Sequence, residues 1–226
     1  MPLAPGLRVA AAVAVCCAVL TGCSEDAAPR SSATSPDAPV LQPGRPGQDN
    51  QTLTGTRAVP SPSAKAGPAD VRFVQNMIVH HAQALTMVDI AFGGLTDGQV
   101  RSLASRIRAE QGPEIGYMKR WLEKQGQRVP PQATNTRMAG GHDPSMPGMA
   151  SKQQLLTLQN ASGPAKDRTF LNLMITHHQG AISMALLRDK SGGTDADIEK
   201  LGGDIRSSQG SQITRMEKLR AGLPAA

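Results

Sequence analysis

Aromatic residues make up only 2% of the 226-residue chain: Phe73, Phe92, Tyr117, Trp121 and Phe170. All five lie between positions 73 and 170, so the first third has no aromatic side chain with which to build a core. Cysteine is scarcer. Cys16, Cys17 and Cys23 all fall near the N-terminus, which excludes a disulfide framework and a thiolate zinc site from everything that follows. No apolar run reaches the ~20 residues of a confident membrane-spanning helix. Lys and Arg outnumber Asp and Glu by 24 to 18, for a net charge of +6. These charges are dispersed, without a basic run interleaved with aromatics, so a nucleic-acid platform is excluded. A mild positive charge suits a protein held near an anionic membrane surface. What the chain has in quantity is Gly (23), Pro (17) and Met (10), against five His. That much Gly and Pro indicates that part of the chain is linker.

The N-terminus supplies a leader and an anchor. Arg8 precedes a short apolar stretch over residues 9–20, the pattern of a secretory signal over residues 1–22. Leu20, Thr21, Gly22 and Cys23 then resemble a bacterial lipobox. The resemblance implies cleavage before Cys23 and lipidation of its sulfur, palmitate included, and two or more acyl chains suffice for stable anchoring. The expected location is the outer face of the plasma membrane. Residues 24–69 hold eight Pro and six Ser with almost no apolar periodicity. From Cys23 to residue 69 the chain therefore reads as a disordered tether, with a reach of roughly 40 Å if flexible.

The rest is an internal repeat. Phe73, Met77, Ile78, His80, His81, Ala84 and Met87 recur 97 positions later as Phe170, Met174, Ile175, His177, His178, Ala181 and Met184. A weaker echo follows at an offset of 98, where Ile107, Arg108, Gln111, Gly112, Ile115 and Met118 recur as Ile205, Arg206, Gln209, Gly210, Ile213 and Met216. Helix signals accompany both copies. Asp70 is placed to cap a helix that stops at Gly93 and Gly94. Thr96 and Gln99 form a capping box for the next, which ends near Gly126 and should kink at Pro113. Ser151 and Gln154 open a short helix. A longer one spans about 165–190, and Thr194 precedes a last helix ending before Gly222. No stretch reads as a convincing strand. The fold class is all-α: two αα-hairpins packed as an antiparallel four-helix bundle over residues 70–222, with an insertion at 127–150.

The chemistry lies on the first helix of each copy. At about 100° per residue, Met77, His80, His81 and Met87 share an arc of about 120° that overlaps the apolar stripe. Met174, His177, His178 and Met184 repeat it. In an antiparallel bundle the two arcs face each other. Imidazole with thioether and no thiolate selects a soft metal, copper and above all Cu(I), whereas hard cations do not select Met. Met at helical spacing also serves simply as core filler. The duplication argues for more than that, because burying four imidazoles without partners is costly. On the wheel Met77 lies nearer His81 and Met87 nearer His80, so either His of a pair qualifies as the ligand.

Two further groups of residues are candidates. In the insertion, Met138, His142, Met146 and Met149 fall within twelve residues among Gly and Pro. They read as a flexible capture arm or lid for copper, or as a linker. Gln111 and Glu114 lie on the inner face of the second helix, with Gln209 and Gln212 in the second copy. They are placed to orient His rings from behind, or to satisfy backbone near Pro113.

The Phe-x3-Met-Ile-x-His-His-x2-Ala-x2-Met units, each followed by Ile-x3-Gln-x3-Ile-x2-Met, resemble the domain-of-unknown-function 305 family over about residues 70–220. The resemblance implies a ferritin-like four-helix bundle. It also implies the extracytoplasmic copper binding through Met and His of the family's CopM-like members. Carried onto this sequence, it implies Met77, His80, His81, Met87, Met174, His177, His178 and Met184 as ligands. The Gly112–Pro113 pair departs from the pattern and puts the register of Glu114 in question.

The expectation is a lipid-anchored, extracytoplasmic protein that sequesters or hands on Cu(I) without bond-making chemistry, with a copper donor or acceptor protein as partner. A ferritin-like di-metal oxidoreductase is the enzyme alternative. It needs Glu-x-x-His on two helices, and Met77 and Met174 stand three residues before His80 and His177 instead. The third alternative is a non-metal cell-surface interaction or stress module.

Overall fold

A computed structural model describes residues 39–42, 49–55, 66–139 and 146–224. The signal segment 1–22, Cys23, most of the tether and His142 lie outside the described residues. The chain divides into two compact units, Met1–Val59 and Pro60–Ala226.

In the first unit, β1 (Val40–Gln42) pairs antiparallel with β2 (Gln51–Leu53), with Val40 opposite Leu53. The expectation of a strand-free tether is corrected here. Val40, Leu41, Gln42, Thr52 and Leu53 suit an extended ribbon, although a two-stranded pair is marginal by itself and Val40 and Leu41 are exposed.

The second unit is the helical bundle. Its elements are α1 (Pro68–Phe92), α2 (Gly98–Lys124), α3 (Lys152–Asn160), α4 (Gly163–Lys190) and α5 (Ala196–Gly222). α1 packs chiefly on α2 and α4 chiefly on α5, and the two hairpins join through α1 and α4. α2 and α5 barely meet. No described helix is long and apolar enough to cross a membrane.

The helix starts differ from the sequence reading in an instructive way. Asp70 is not the N-cap of α1, which starts after Gly67 with Pro68 in its first turn, but stands at the third helical position, where its carboxylate accepts from the Gly67 backbone N–H at 3.3 Å. The same carboxylate also accepts from the backbone N–H groups of Thr194 (3.1 Å) and Asp195 (3.3 Å), just ahead of α5. Its counterpart 97 positions on, Asp167, accepts from the N–H groups of Thr96 and Asp97 (both 3.0 Å), just ahead of α2. Each long helix thus fixes the loop of the opposite hairpin, which holds α1 and α4 antiparallel. Thr96 is spent on Asp167, so the cap of α2 is Asp97, which accepts from Gln99 and Val100. Asp195 caps α5 in the same way. Ser151 and Gln154 form the expected capping box on α3. α2 runs unbroken through Pro113.

The core falls into two apolar clusters exchanged by the repeat. Phe73, Met77, Met118 and Met184 belong to one. Their counterparts Phe170, Met174, Met216 and Met87 belong to the other. The four paired histidines lie on α1 and α4 at the boundary between these clusters.

Candidate metal centre

His80, His81, His177 and His178 are completely buried. They occupy helix positions that an apolar core would ordinarily claim, so each needs a partner for its ring nitrogens. The rings of His80 and His177, equivalent positions of the repeat, face each other with centroids 3.8 Å apart and planes at 36°.

The outer two histidines are held by the second helices. His81 Nε2 lies 2.7 Å from Glu114 Oε2, and His178 Nε2 lies 2.6 Å from Gln212 Oε1. Glu114 and Gln212 correspond across the repeat, so one arrangement occurs twice, once with a carboxylate and once with an amide. Pro113 leaves Glu114 in register with His81. Gln111 and Gln209, expected to orient rings as well, do not bond to a histidine. They are buried, with both amide atoms of Gln111 and the Oε1 of Gln209 left without a partner.

His80 is held by the insertion. Its Nε2 lies 3.1 Å from the Pro147 carbonyl oxygen. Residues 146–150 form a strap across α1 and α4, tied at one end by Gln83, which exchanges two hydrogen bonds with the backbone of Ala150 (2.9 and 2.7 Å). At its middle the strap lies on Gly180, the repeat counterpart of Gln83, where only a missing side chain permits contact. Residues 131–133 and 136–139 form two 3-10 turns packed on α1. The described part of the insertion is therefore docked, correcting the reading of a flexible arm. Met146 and Met149 are buried beside Met77 and Met184, whereas Met138 is 56% exposed and stands apart.

Five ring nitrogens have no partner: the Nδ1 of all four histidines and the Nε2 of His177. Burial keeps His80, His177 and His178 neutral. It pushes His80 down to about 3 and His178 to about 4, and it holds His177 well below the ordinary imidazole value. Neutral imidazoles with bare nitrogens are ligands in waiting. Among the described residues no group of three or more His, Cys, Asp or Glu is placed to hold a metal ion. A hard cation, which wants six or more oxygens, is thus poorly served. A soft ion content with two or three nitrogens and thioethers fits the donors present, since Met77, Met87, Met174 and Met184 are all buried.

Sequence reasoning missed three parts of this site. The Pro147 carbonyl left no side-chain signature. Gln83 against Gly180 was visible as the position where the repeat breaks. Glu110, whose carboxylate accepts from the Gln212 amide nitrogen, has no equivalent in the second copy, where Ser208 stands.

The molecule is thus a two-repeat helical bundle whose centre is a buried cluster of four histidines flanked by methionines. The chain belongs to the family described as Domain of unknown function (DUF305), which matches residues 70–220. A DUF305 fragment from Deinococcus radiodurans is 33% identical, with a TM-score of 0.60, over 71% of this chain and 100% of that one. A DUF305 protein from Streptomyces coelicolor is 30% identical, with a TM-score of 0.57, over 70% of this chain and 97% of that one. CopM in its Cu(I)-bound form is 29% identical, with a TM-score of 0.53, over 66% of this chain and 94% of that one. CopM is also known in Cu(II)-bound and Ag-bound forms. No curated protein matches the chain.

Proposed function

We propose that this protein is a lipid-anchored, extracytoplasmic copper-binding protein that sequesters or hands on Cu(I) through His and Met ligands. The observation that carries this reading is the set of five unpartnered ring nitrogens on four fully buried histidines. A protein gains nothing from burying bare nitrogens unless something occupies them, because each forfeits its hydrogen bonds to water. Copper is favoured over zinc because zinc gains little from thioether, and CopM, a relative of the same fold, binds copper and silver. Anchoring rests on the lipobox-like residues Leu20 to Cys23 alone. Replacing Cys23 by Ser should move the protein from the membrane to the soluble fraction.

The test of the metal reading is a Cu(I) titration under reductant against a chromogenic Cu(I) chelator. It uses the chain from Ser24 onward, which keeps all of the compact unit Pro60–Ala226. Stoichiometric competition that disappears when His80, His81, His177 and His178 are all replaced by Ala is the expected outcome. Failure of the natural sequence to compete would overturn the copper reading, and iron and zinc would be tried next.

A further inference from the structure

We infer that His80, His81 and His178 are locked as tautomers carrying hydrogen on Nε2, so that each offers Nδ1 to the metal, and that Glu110 is a positioning residue for His178. This assignment rests on the metal reading above and names the ligating atom.

Each Nε2 of these three rings faces an oxygen that only accepts. For His80 it is the Pro147 carbonyl at 3.1 Å, and for His81 the Glu114 carboxylate at 2.7 Å. A carbonyl or carboxylate oxygen has no hydrogen to give, so the hydrogen of each contact belongs to Nε2. In a neutral imidazole the lone pair is then on Nδ1, the atom left without a partner in both rings.

His178 is the subtler case, because its partner Gln212 has an oxygen end and a nitrogen end. Glu110 settles which end faces the ring. The Glu110 carboxylate accepts from the Gln212 amide nitrogen, so that nitrogen turns toward α2 and Oε1 turns toward His178 at 2.6 Å. Reversing the amide would set its oxygen against the Glu110 carboxylate and its nitrogen against the ring. The chain Glu110, Gln212, His178 Nε2–H therefore ends in a bare Nδ1. Metal-binding histidines commonly donate their second ring N–H to an oxygen, which fixes the ring and strengthens the ligating nitrogen. Here three different devices achieve this: a strap carbonyl, a carboxylate and an oriented amide. His177 has neither nitrogen engaged and stays free to serve through either.

The experiment is long-range 15N NMR of the chain from Ser24 onward with labelled histidine, assigned by replacing each His with Gln in turn. Before metal is added, His80, His81 and His178 should show protonated Nε2 and bare Nδ1. Glu110→Ala should blur this pattern at His178 alone, a change that a merely structural role for Glu110 would not produce. Glu114→Ala should do the same at His81, whereas Glu114→Gln should restore it only when Ser208→Glu supplies the carboxylate that Glu110 gives Gln212 in the other copy. Silver ion is then added, and its spin should split the Nδ1 signals. Bare Nε2 before metal, or silver coupling at Nε2, in His80, His81 or His178 would overturn the assignment. Locked tautomers with no silver bound at all would overturn the metal reading and the ligand assignment with it.

Discussion

Gly180 and Pro147 meet through backbone alone. A Cβ on Gly180 would lie 2.0 Å from the Pro147 carbonyl oxygen, the same oxygen that sits 3.1 Å from His80 Nε2. The absence of one side chain on α4 thus lets a loop reach a histidine on α1. Gly148, at φ +79° with a Cβ position 2.5 Å from the Thr176 carbonyl oxygen, is bound by the same approach. Gly180→Ala is expected to lift the strap, free Met146 and Met149 from the core, and cost about 1–3 kcal/mol. Urea unfolding reads this as a lower midpoint at an unchanged slope. An unaltered midpoint would mean that the strap is not held there.

Arg188 and Asp70 form an ion pair that water does not reach, 2.6 Å between Nη2 and Oδ1, with side chains 1% and 0% exposed. Arg188 also donates to the Asp195 carbonyl oxygen. Arg188→Leu leaves the carboxylate of Asp70 buried with backbone N–H partners only, at an expected cost of about 3–5 kcal/mol. Adding Asp70→Asn removes the stranded charge, because Asn Oδ1 can still accept from Thr194. The double variant should therefore be more stable than Arg188→Leu alone, and a double-mutant cycle measures the coupling. Additive losses would contradict a direct pairing.

Much of this architecture was legible in the residues. The offsets of 97 and 98 announced two equivalent hairpins, and wheel geometry put both His-His pairs on an inner face. The fold and the histidine cluster followed from that periodicity. The helix starts followed only in part: Asp70 accepts from Gly67 at its own helix start but also from Thr194, 124 positions away, and Thr96 is claimed by Asp167, 71 positions away. The strap escaped for a related reason. A carbonyl oxygen is common to all residues, so nothing in the sequence marks Pro147 as the one that meets His80. Docking of the insertion depended on Gln83 and Gly180, where the repeat is broken, and an alignment that counts identities passes over such a position.

The buried histidines also set a pH dependence. His80 and His178 ionise near 3 and 4 in the fold, because burial disfavours the charged ring, against 6.5 for an exposed imidazole. Below 6.5 the unfolded chain therefore binds protons that the folded state refuses. Stability of the metal-free protein is expected to be greatest above about pH 6.5 and to fall as pH drops toward the folded values. Each ring contributes at most about 1.4 kcal/mol per pH unit. Comparing urea unfolding at pH 7 and pH 5 between the natural sequence and a variant with all four paired His changed to Gln isolates this effect from carboxylate titration. Equal losses in the two proteins would mean that the rings are already solvated.

The methionines separate soft-metal binding from packing. Leu fills nearly the same volume as Met, so Met77→Leu, Met87→Leu, Met174→Leu and Met184→Leu should each cost less than about 1.5 kcal/mol of stability. If thioethers are ligands, Cu(I) affinity should drop by at least about tenfold, equivalent to about 1.4 kcal/mol, with the helical content intact. The two halves should not respond alike. Met77 and Met184 share their cluster with Met146 and Met149 from the strap, whereas the cluster of Met87 and Met174 receives no strap methionine. Spare thioethers beside the first pair should soften its loss, so the double variant Met87→Leu with Met174→Leu should weaken binding more than Met77→Leu with Met184→Leu. Met138→Leu, at the exposed turn, should change nothing. Chelator competition across these variants decides the matter, and affinities unchanged in both double variants would leave the four imidazoles as the only ligands.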